Sequence, residues 1–174
     1  MTGFEVEKVK AVLVKLMTVT YAVLIATGIC FVAAAFEGLC AGKNVKAHFA
    51  KLKWPRSSPP LWVWYIIGVG YYAVFWFALY RLLRIESSVL RTATLVLIPL
   101  MMALNGFWNY LFFRAQNLFL SFVGAMIAPI PDVALFLCVL RLDTTAAWAL
   151  VPYLIYRLYS LWWGYGLWKM NRAA

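Results

Sequence analysis

Long apolar runs separated by short polar segments dominate this chain. A helix needs roughly 20 mostly apolar residues to cross a hydrocarbon core about 30 Å thick. Runs of that length cover residues 12–36, 59–83, 89–113, 117–140 and 145–168. Because they are continuous, and do not alternate over about ten residues as barrel strands do, they indicate helices. The pattern predicts an all-α fold, one integral membrane bundle of five transmembrane helices over residues 1–174.

Local signals predict where these helices begin and bend. The first run exceeds the roughly 7–15 residues of a signal-peptide core, so we expect a retained span. Pro59 suits a first helical turn, where the N–H groups are unpaired. Asp143 and the two threonines after it are N-cap candidates for the last helix. Pro129 and Pro131 remove backbone donors within the fourth run, so a kink is expected there.

Composition and charge agree with a membrane protein. Apolar residues make up 66% of the chain and charged residues 13%, against about half and a quarter in soluble domains. The net charge of +10 could suggest nucleic acid, but the Lys and Arg residues lie between the apolar runs, where they face lipid headgroups. We therefore expect membrane lipid and no nucleic acid as a partner. The segments that flank the runs carry seven Lys and Arg residues on one side of the membrane and eight on the other. This near-equal count leaves the orientation of the protein open.

Cysteine and histidine usage argues against disulfides and metal sites. Cys30, Cys40 and Cys138 are an odd number without paired spacing, so no disulfide framework is implied. The single histidine, His48, has no Cys or carboxylate nearby at ligand spacing. We predict no metal and no cofactor.

Three segments carry a recognisable motif pattern. One leads into the second helix and comprises Leu52, Pro55, Pro59, Pro60, Trp62 and Val63. Another lies in the third helix and comprises Leu104, Asn105, Trp108, Leu111, Phe112 and Phe113. The last lies in the fifth helix and comprises Pro152, Tyr153, Leu154, Tyr165 and Trp168. In order and spacing, over roughly residues 45–171, they resemble the TspO/MBR family, the translocator proteins also called peripheral benzodiazepine receptors.

The resemblance implies a five-helix bundle, usually a homodimer, that binds tetrapyrroles, sterols and drug-like planar ligands. It suggests a prokaryotic cell-envelope membrane or the mitochondrial outer membrane. The family also carries a sterol-contact pattern on its fifth helix, which Leu161, Tyr165 and Lys169 fit here. That pattern is weak by itself, because an interfacial Tyr and Lys need no sterol to explain them.

The chain also departs from the family pattern, which makes it a divergent member. His48 and Ser57 stand where the family usually has loop tryptophans, and Gly68 stands where it has a tryptophan in the second helix. Tyr156 and Ser160 replace its usual Trp and Ala on the fifth helix. These departures leave open the ligand preference and any porphyrin photochemistry that depends on loop tryptophans.

Aromatic residues extend along the second helix beyond the depth of an interfacial belt, so they either line a cavity or pack between helices. Asn105 and Asn109 share a helix face. They either hydrogen-bond to another helix, or Asn105 gives an aromatic pocket a polar group. The predicted ligand-binding residues are Trp54, Trp62, Trp64, Asn105, Trp108, Tyr153, Tyr156 and Ser160.

Two charged residues lie deep in the last two runs. Asp132 and Arg157 are about ten and fifteen residues from the turn that joins the helices, so their depths differ by roughly 7 Å. We expect them to pair, either as a structural ion pair or with Arg157 serving an anionic substituent such as a propionate. Glu37, near the end of the first run, is expected at the interface.

The favoured function is a membrane binding protein for planar hydrophobic ligands, a tetrapyrrole or a sterol, acting as a transporter, chaperone or sensor. The loop Gly42–Ser58 is expected to close over the mouth of the bundle, because prolines stiffen it. The alternatives are a porphyrin-degrading enzyme and a ligand-free membrane scaffold subunit. Enzyme chemistry is unsupported, because the sequence shows no nucleophile–base pair, metal cluster or phosphate-binding loop.

Overall fold

A computed structural model describes residues 3–172, without the side chains of residues 3–6 and 8–16. Within that part of the chain the regular structure is helical. The helices are α1 (Gly3–Ala41), α2 (Val45–Lys51), α3 (Leu61–Leu83), α4 (Val89–Asn109), α5 (Leu118–Ile127), α6 (Pro129–Leu142) and α7 (Thr144–Asn171). A π-helical turn, Tyr110–Arg114, continues α4. The prediction of an all-helical membrane bundle is therefore confirmed.

Four helical segments are long and apolar enough to cross a membrane. They are Met17–Ala41, Leu61–Leu83, Val89–Arg114 and Leu118–Leu142. The last helix, α7, is longer than all four of these segments, but Arg157 and its many Trp and Tyr residues lower its hydropathy below theirs. The five long runs of the sequence thus become four clearly apolar spans and one long aromatic helix.

The helices differ from the predicted apolar runs chiefly in three respects. α1 begins nearer the N-terminus than its apolar run and ends later, at Ala41. Gly42 follows it, with a φ of +72°, the left-handed conformation common after helices. The loop that follows contains the short helix α2. The fourth span is interrupted at Ala128, directly before Pro129, where the kink was expected.

Side chains cap three of the helices. At the start of α4, the Ser88 Oγ accepts a hydrogen bond from the backbone N–H of Arg91. At the start of α5, the Asn117 Oδ1 accepts one from the backbone N–H of Leu120. Asp143, the predicted N-cap of α7, accepts from the Ala146 N–H at 3.0 Å through one carboxylate oxygen. Each bond satisfies a donor that the first helical turn leaves unpaired.

The long helices form a ring. α1 packs against α3 and α4, α3 also packs against α7, and the α5–α6 segment lies between α7 and α4. One half of this ring is filled by a close-packed core that includes Phe75, Leu79, Ile98, Leu135 and Leu150. The other half lies toward the end of α1, the start of α3 and the end of α7. That half holds the candidate site.

Candidate functional site

A cavity of about 340 Å³ lies in the half of the bundle that the core leaves open. Eleven of its 22 lining residues are aromatic, which suits a flat apolar ligand, since rings offer stacking faces. Its aromatic residues are Phe49, Trp64, Tyr65, Tyr71, Tyr72, Trp108, Phe112, Phe113, Tyr153, Tyr156 and Trp163. The polar side chains among the lining residues, apart from the tyrosines and tryptophans, are Glu37, Asn105, Asn109 and Arg157.

The residues predicted to bind ligand fall into two groups. Those that line this cavity are Trp64, Asn105, Trp108, Tyr153 and Tyr156. Trp54, Trp62 and Ser160 do not line it. Trp62 is 63% exposed on the outside of α3, Trp54 packs within the loop, and Ser160 lines a much smaller cavity of about 30 Å³ beside Trp108.

The expectation that Glu37 reaches the interface is wrong, because its carboxylate is bound inside the bundle. The Tyr72 hydroxyl donates to the Glu37 Oε2 at 2.6 Å, and the Asn105 side-chain amide donates to the same oxygen at 3.1 Å. The Asn109 amide donates to Oε1 at 2.9 Å. These bonds connect α1 to α3 and α4. The asparagines therefore make interhelical hydrogen bonds, and Asn105 lines the cavity as well.

Asp132 and Arg157 form an ion pair between α6 and α7. The Arg157 Nε lies 2.8 Å from the Asp132 Oδ2, and the Tyr153 hydroxyl donates to Oδ1 at 2.7 Å. Asp132 is buried, at 3% exposure, whereas Arg157 also lines the cavity. The carboxylate thus neutralises Arg157 and holds it beside the cavity, because two partners fix the position of Asp132.

Residues 42–60, called the lid below, cover the cavity at the end where α7 finishes. Phe49 of the lid lines the cavity and packs on Trp54 with ring centroids 3.8 Å apart. Trp54 also stacks on Trp163 of α7 at 5.8 Å. The Trp163 indole donates to the Ser58 hydroxyl at 3.0 Å. Trp163 is only 3% exposed, so α7 contacts the lid here through a buried side chain.

Further contacts hold the lid along α7. The Asn171 amide group accepts from the Lys53 N–H and donates to the Lys53 carbonyl. The Tyr159 hydroxyl donates to the Ser57 carbonyl at 3.0 Å. A Cβ added at Gly166 would lie 3.1 Å from Pro55 of the lid, so the absence of a side chain there permits close packing. The lid is thereby fastened at several points along its length.

His48 is buried where α2 meets the end of α4. It is 5% exposed, and its ring contacts Phe112 at 5.4 Å edge-on. Its Nε2 is buried without a hydrogen-bond partner among the described residues. Burial, and then the nearby positive charge of Lys51, hold the pKa of His48 below its ordinary value of 6.5. The docked lid therefore favours neutral histidine.

Acidification is expected to loosen the lid. The pKa of His48 is lower when the lid is docked than when it is free, so the free form binds the proton more readily. Docking is then complete above about pH 6.5 and weakens progressively as the pH falls below that value. A spin label at Lys46→Cys, in a background without the three native cysteines, should become more mobile below about pH 6. In His48→Leu, label mobility should no longer depend on pH. If that variant shows the same pH dependence as the native protein, this histidine is not the cause.

The residues of the sterol-contact pattern lie on the outer side of α7. Tyr165 is 45% exposed and packs on Phe122 of α5. The Lys169 Nζ lies 5.8 Å from the centre of the Tyr165 ring. Leu161 is half-buried one turn earlier. A sterol at this pattern would contact the lipid-facing surface, separate from the cavity.

No group of three or more His, Cys, Asp and Glu side chains that could hold a metal ion is found in the described part of the chain. The cavity lining offers aromatic faces, amides, hydroxyls and two charged groups, Glu37 and Arg157. Such a site can bind and orient a ligand by stacking and hydrogen bonding.

Four apolar helices of membrane-spanning length, with an aromatic cavity beside them, fit a multi-pass integral membrane protein that binds a ligand. The model of the TspO/MBR family matches residues 22–169 of the 174 residues. The chain therefore belongs to the TspO/MBR family, and the resemblance seen in its motifs is confirmed. No curated protein matches the chain at a significant level.

Proposed function

We propose that this protein binds planar hydrophobic ligands, tetrapyrroles or sterols, within the membrane, and acts as a transporter, chaperone or sensor. The observation that carries the proposal is the lid-covered aromatic cavity between α1, α3, α4 and α7. Its volume of about 340 Å³ is within the range of small-molecule sites. A lid fastened by side-chain contacts gives such a site an entrance that can open.

The same proposal includes α7 as a fifth transmembrane helix. At about 1.5 Å per residue its 28 residues extend roughly 42 Å, more than a hydrocarbon core. Its one deep charge, Arg157, is neutralised by Asp132, which lowers the cost of placing the helix in lipid. Following the family resemblance, we also propose a homodimer in a cell-envelope or mitochondrial outer membrane.

Filling the cavity is expected to weaken ligand binding. Gly68 lines the cavity, and a Cβ added there meets nothing within 4 Å, so Gly68→Leu would place a side chain in open cavity space. Purified protein in a neutral detergent would be titrated with protoporphyrin and separately with a sterol, following tryptophan fluorescence. We expect saturable quenching by at least one ligand in the native protein and at least a tenfold (~1.4 kcal/mol) weaker affinity in Gly68→Leu.

Gly70→Leu is the matched control for this experiment. Gly70 lies on the same helix, has the same open space and does not line the cavity. Both substitutions improve helix propensity similarly, so only the cavity distinguishes them. Equal affinities in the two variants would contradict the proposed site. The absence of saturable quenching would favour a ligand-free scaffold, and bleached products under illumination would favour the enzyme.

A further inference from the structure

Glu37, which is half-buried, differs from the buried Asp132 because its hydrogen bonds come only from neutral groups. Its three hydrogen-bond donors are the Tyr72 hydroxyl and the side-chain amides of Asn105 and Asn109. The ion pairs of the described residues are Arg81–Asp143 and Arg157–Asp132, and Glu37 belongs to neither. Among the described residues, no Lys, Arg or His side chain forms an ion pair with this carboxylate.

Two further observations place this carboxylate where a ligand can reach it. Glu37 lines the aromatic cavity of about 340 Å³, together with Tyr72 and both asparagines. Its Oε2 accepts two hydrogen bonds, whereas its Oε1 accepts one. A carboxylate has about four lone-pair positions, so Oε1 retains room for a donor supplied from the cavity.

The other charged groups beside the cavity cancel. Arg157 lines it but is paired with Asp132 at 2.8 Å, so these two residues contribute no net formal charge. Glu37 then leaves the cavity with one formal negative charge, surrounded by aromatic rings. A site made of a carboxylate and ring faces is the arrangement that recognises organic cations, because both attract positive charge.

We propose that the cavity selects planar ligands that carry a protonated amine, with the Glu37 carboxylate as the counter-ion. This inference rests on the proposed function and adds the charge of the ligand to it. The ammonium group donates to Oε1 while the flat part of the ligand stacks against the aromatic lining. A ligand carboxylate placed beside Glu37 is disfavoured, since it would bring a second negative charge close to that side chain.

Three probes with the same ring system separate charge from shape. They are 9-anthracenemethylammonium, 9-anthracenemethanol and 9-anthracenecarboxylate, each titrated into the native protein in a neutral detergent by tryptophan quenching. We expect the ammonium to bind about tenfold more tightly than the alcohol, and the carboxylate to bind most weakly. If the alcohol and the ammonium bind saturably with equal affinity, the inference is wrong and the proposed function stands. If none of the three binds saturably, the inference is overturned, whereas the proposed function is decided separately by the protoporphyrin and sterol titrations.

Variants assign the preference to Glu37. Glu37→Gln keeps an oxygen that can accept from Tyr72 or Asn109 but removes the charge, so the ammonium should lose its advantage while the alcohol retains its affinity. Glu37→Asp keeps the charge and should keep the preference. Glu86→Gln, which changes an exposed carboxylate beyond the end of α3, is the control and should bind as the native protein does. If the preference for the ammonium persists in Glu37→Gln, the assignment to Glu37 is overturned. If that variant does not fold, the order of the three affinities in the native protein still tests the inference.

Discussion

Replacing Asp132 with asparagine is expected to destabilise the protein by about 3–5 kcal/mol, because Arg157 then lies inside the bundle without its counter-charge. The asparagine oxygen can still accept a hydrogen bond from the Tyr153 hydroxyl. The loss of stability is therefore due mainly to the missing negative charge, and less to a missing hydrogen bond. The destabilisation should appear with or without ligand. Unfolding would be followed in a single detergent for Asp132→Asn, Arg157→Gln and the double variant.

The double variant should recover part of the loss, since it removes both charges together. Strictly additive effects of the two substitutions would contradict the pairing. Arg81→Gln is the matched control, because Arg81 makes an ion pair of the same 2.8 Å length with Asp143 near the ends of α3 and α6. Its guanidinium is more exposed, so its loss should cost about 1 kcal/mol or less. If Arg157 also serves a ligand carboxylate, Arg157→Gln should weaken binding of propionate-bearing tetrapyrroles but not of neutral sterols.

Truncating Trp163 to alanine is expected to release the lid, with a loss of about 3–5 kcal/mol in packing. The substitution removes the stack with Trp54 and the hydrogen bond to Ser58, and leaves a space beside Phe112. The spin label at residue 46 should become mobile even at neutral pH. Protoporphyrin, if it binds, should dissociate faster, because the cavity loses both a lining residue and its cover.

The neighbouring tryptophan supplies the control for that experiment. Trp162 is 53% exposed, does not line the cavity and packs on Tyr159, so Trp162→Ala removes the same indole while the contacts of Trp163 with the lid remain. Label mobility and dissociation rate should remain native. Equal effects at the two positions would mean that Trp163 acts through general bundle stability, and the lid contact would lose its support.

The Asp132–Arg157 pair shows how far a sequence argument can reach. The two residues lie on consecutive helices joined by one tight turn, so counting residues from that turn gives their relative depth. Glu37 could not be placed in this way. Its partners are 35, 68 and 72 residues away on α3 and α4, and their meeting depends on how each helix is rotated about its axis. Trp62 and Trp64 also depend on helix rotation. They are two residues apart on α3, yet Trp62 lies on the outside of the bundle and Trp64 lines the cavity.

The sequence by itself determined the helical class, the membrane setting and the family, because apolar runs and short motifs are local properties of the chain. It also indicated the N-cap of the last helix and the break near Pro129, which depend on residues within one or two turns. Only the tertiary structure decided that α2 forms in the lid, that Trp163 holds the lid, and that Glu37 points inward. These features depend on contacts between distant segments, and an apolar helix surface gives little signal of which face meets lipid and which meets another helix.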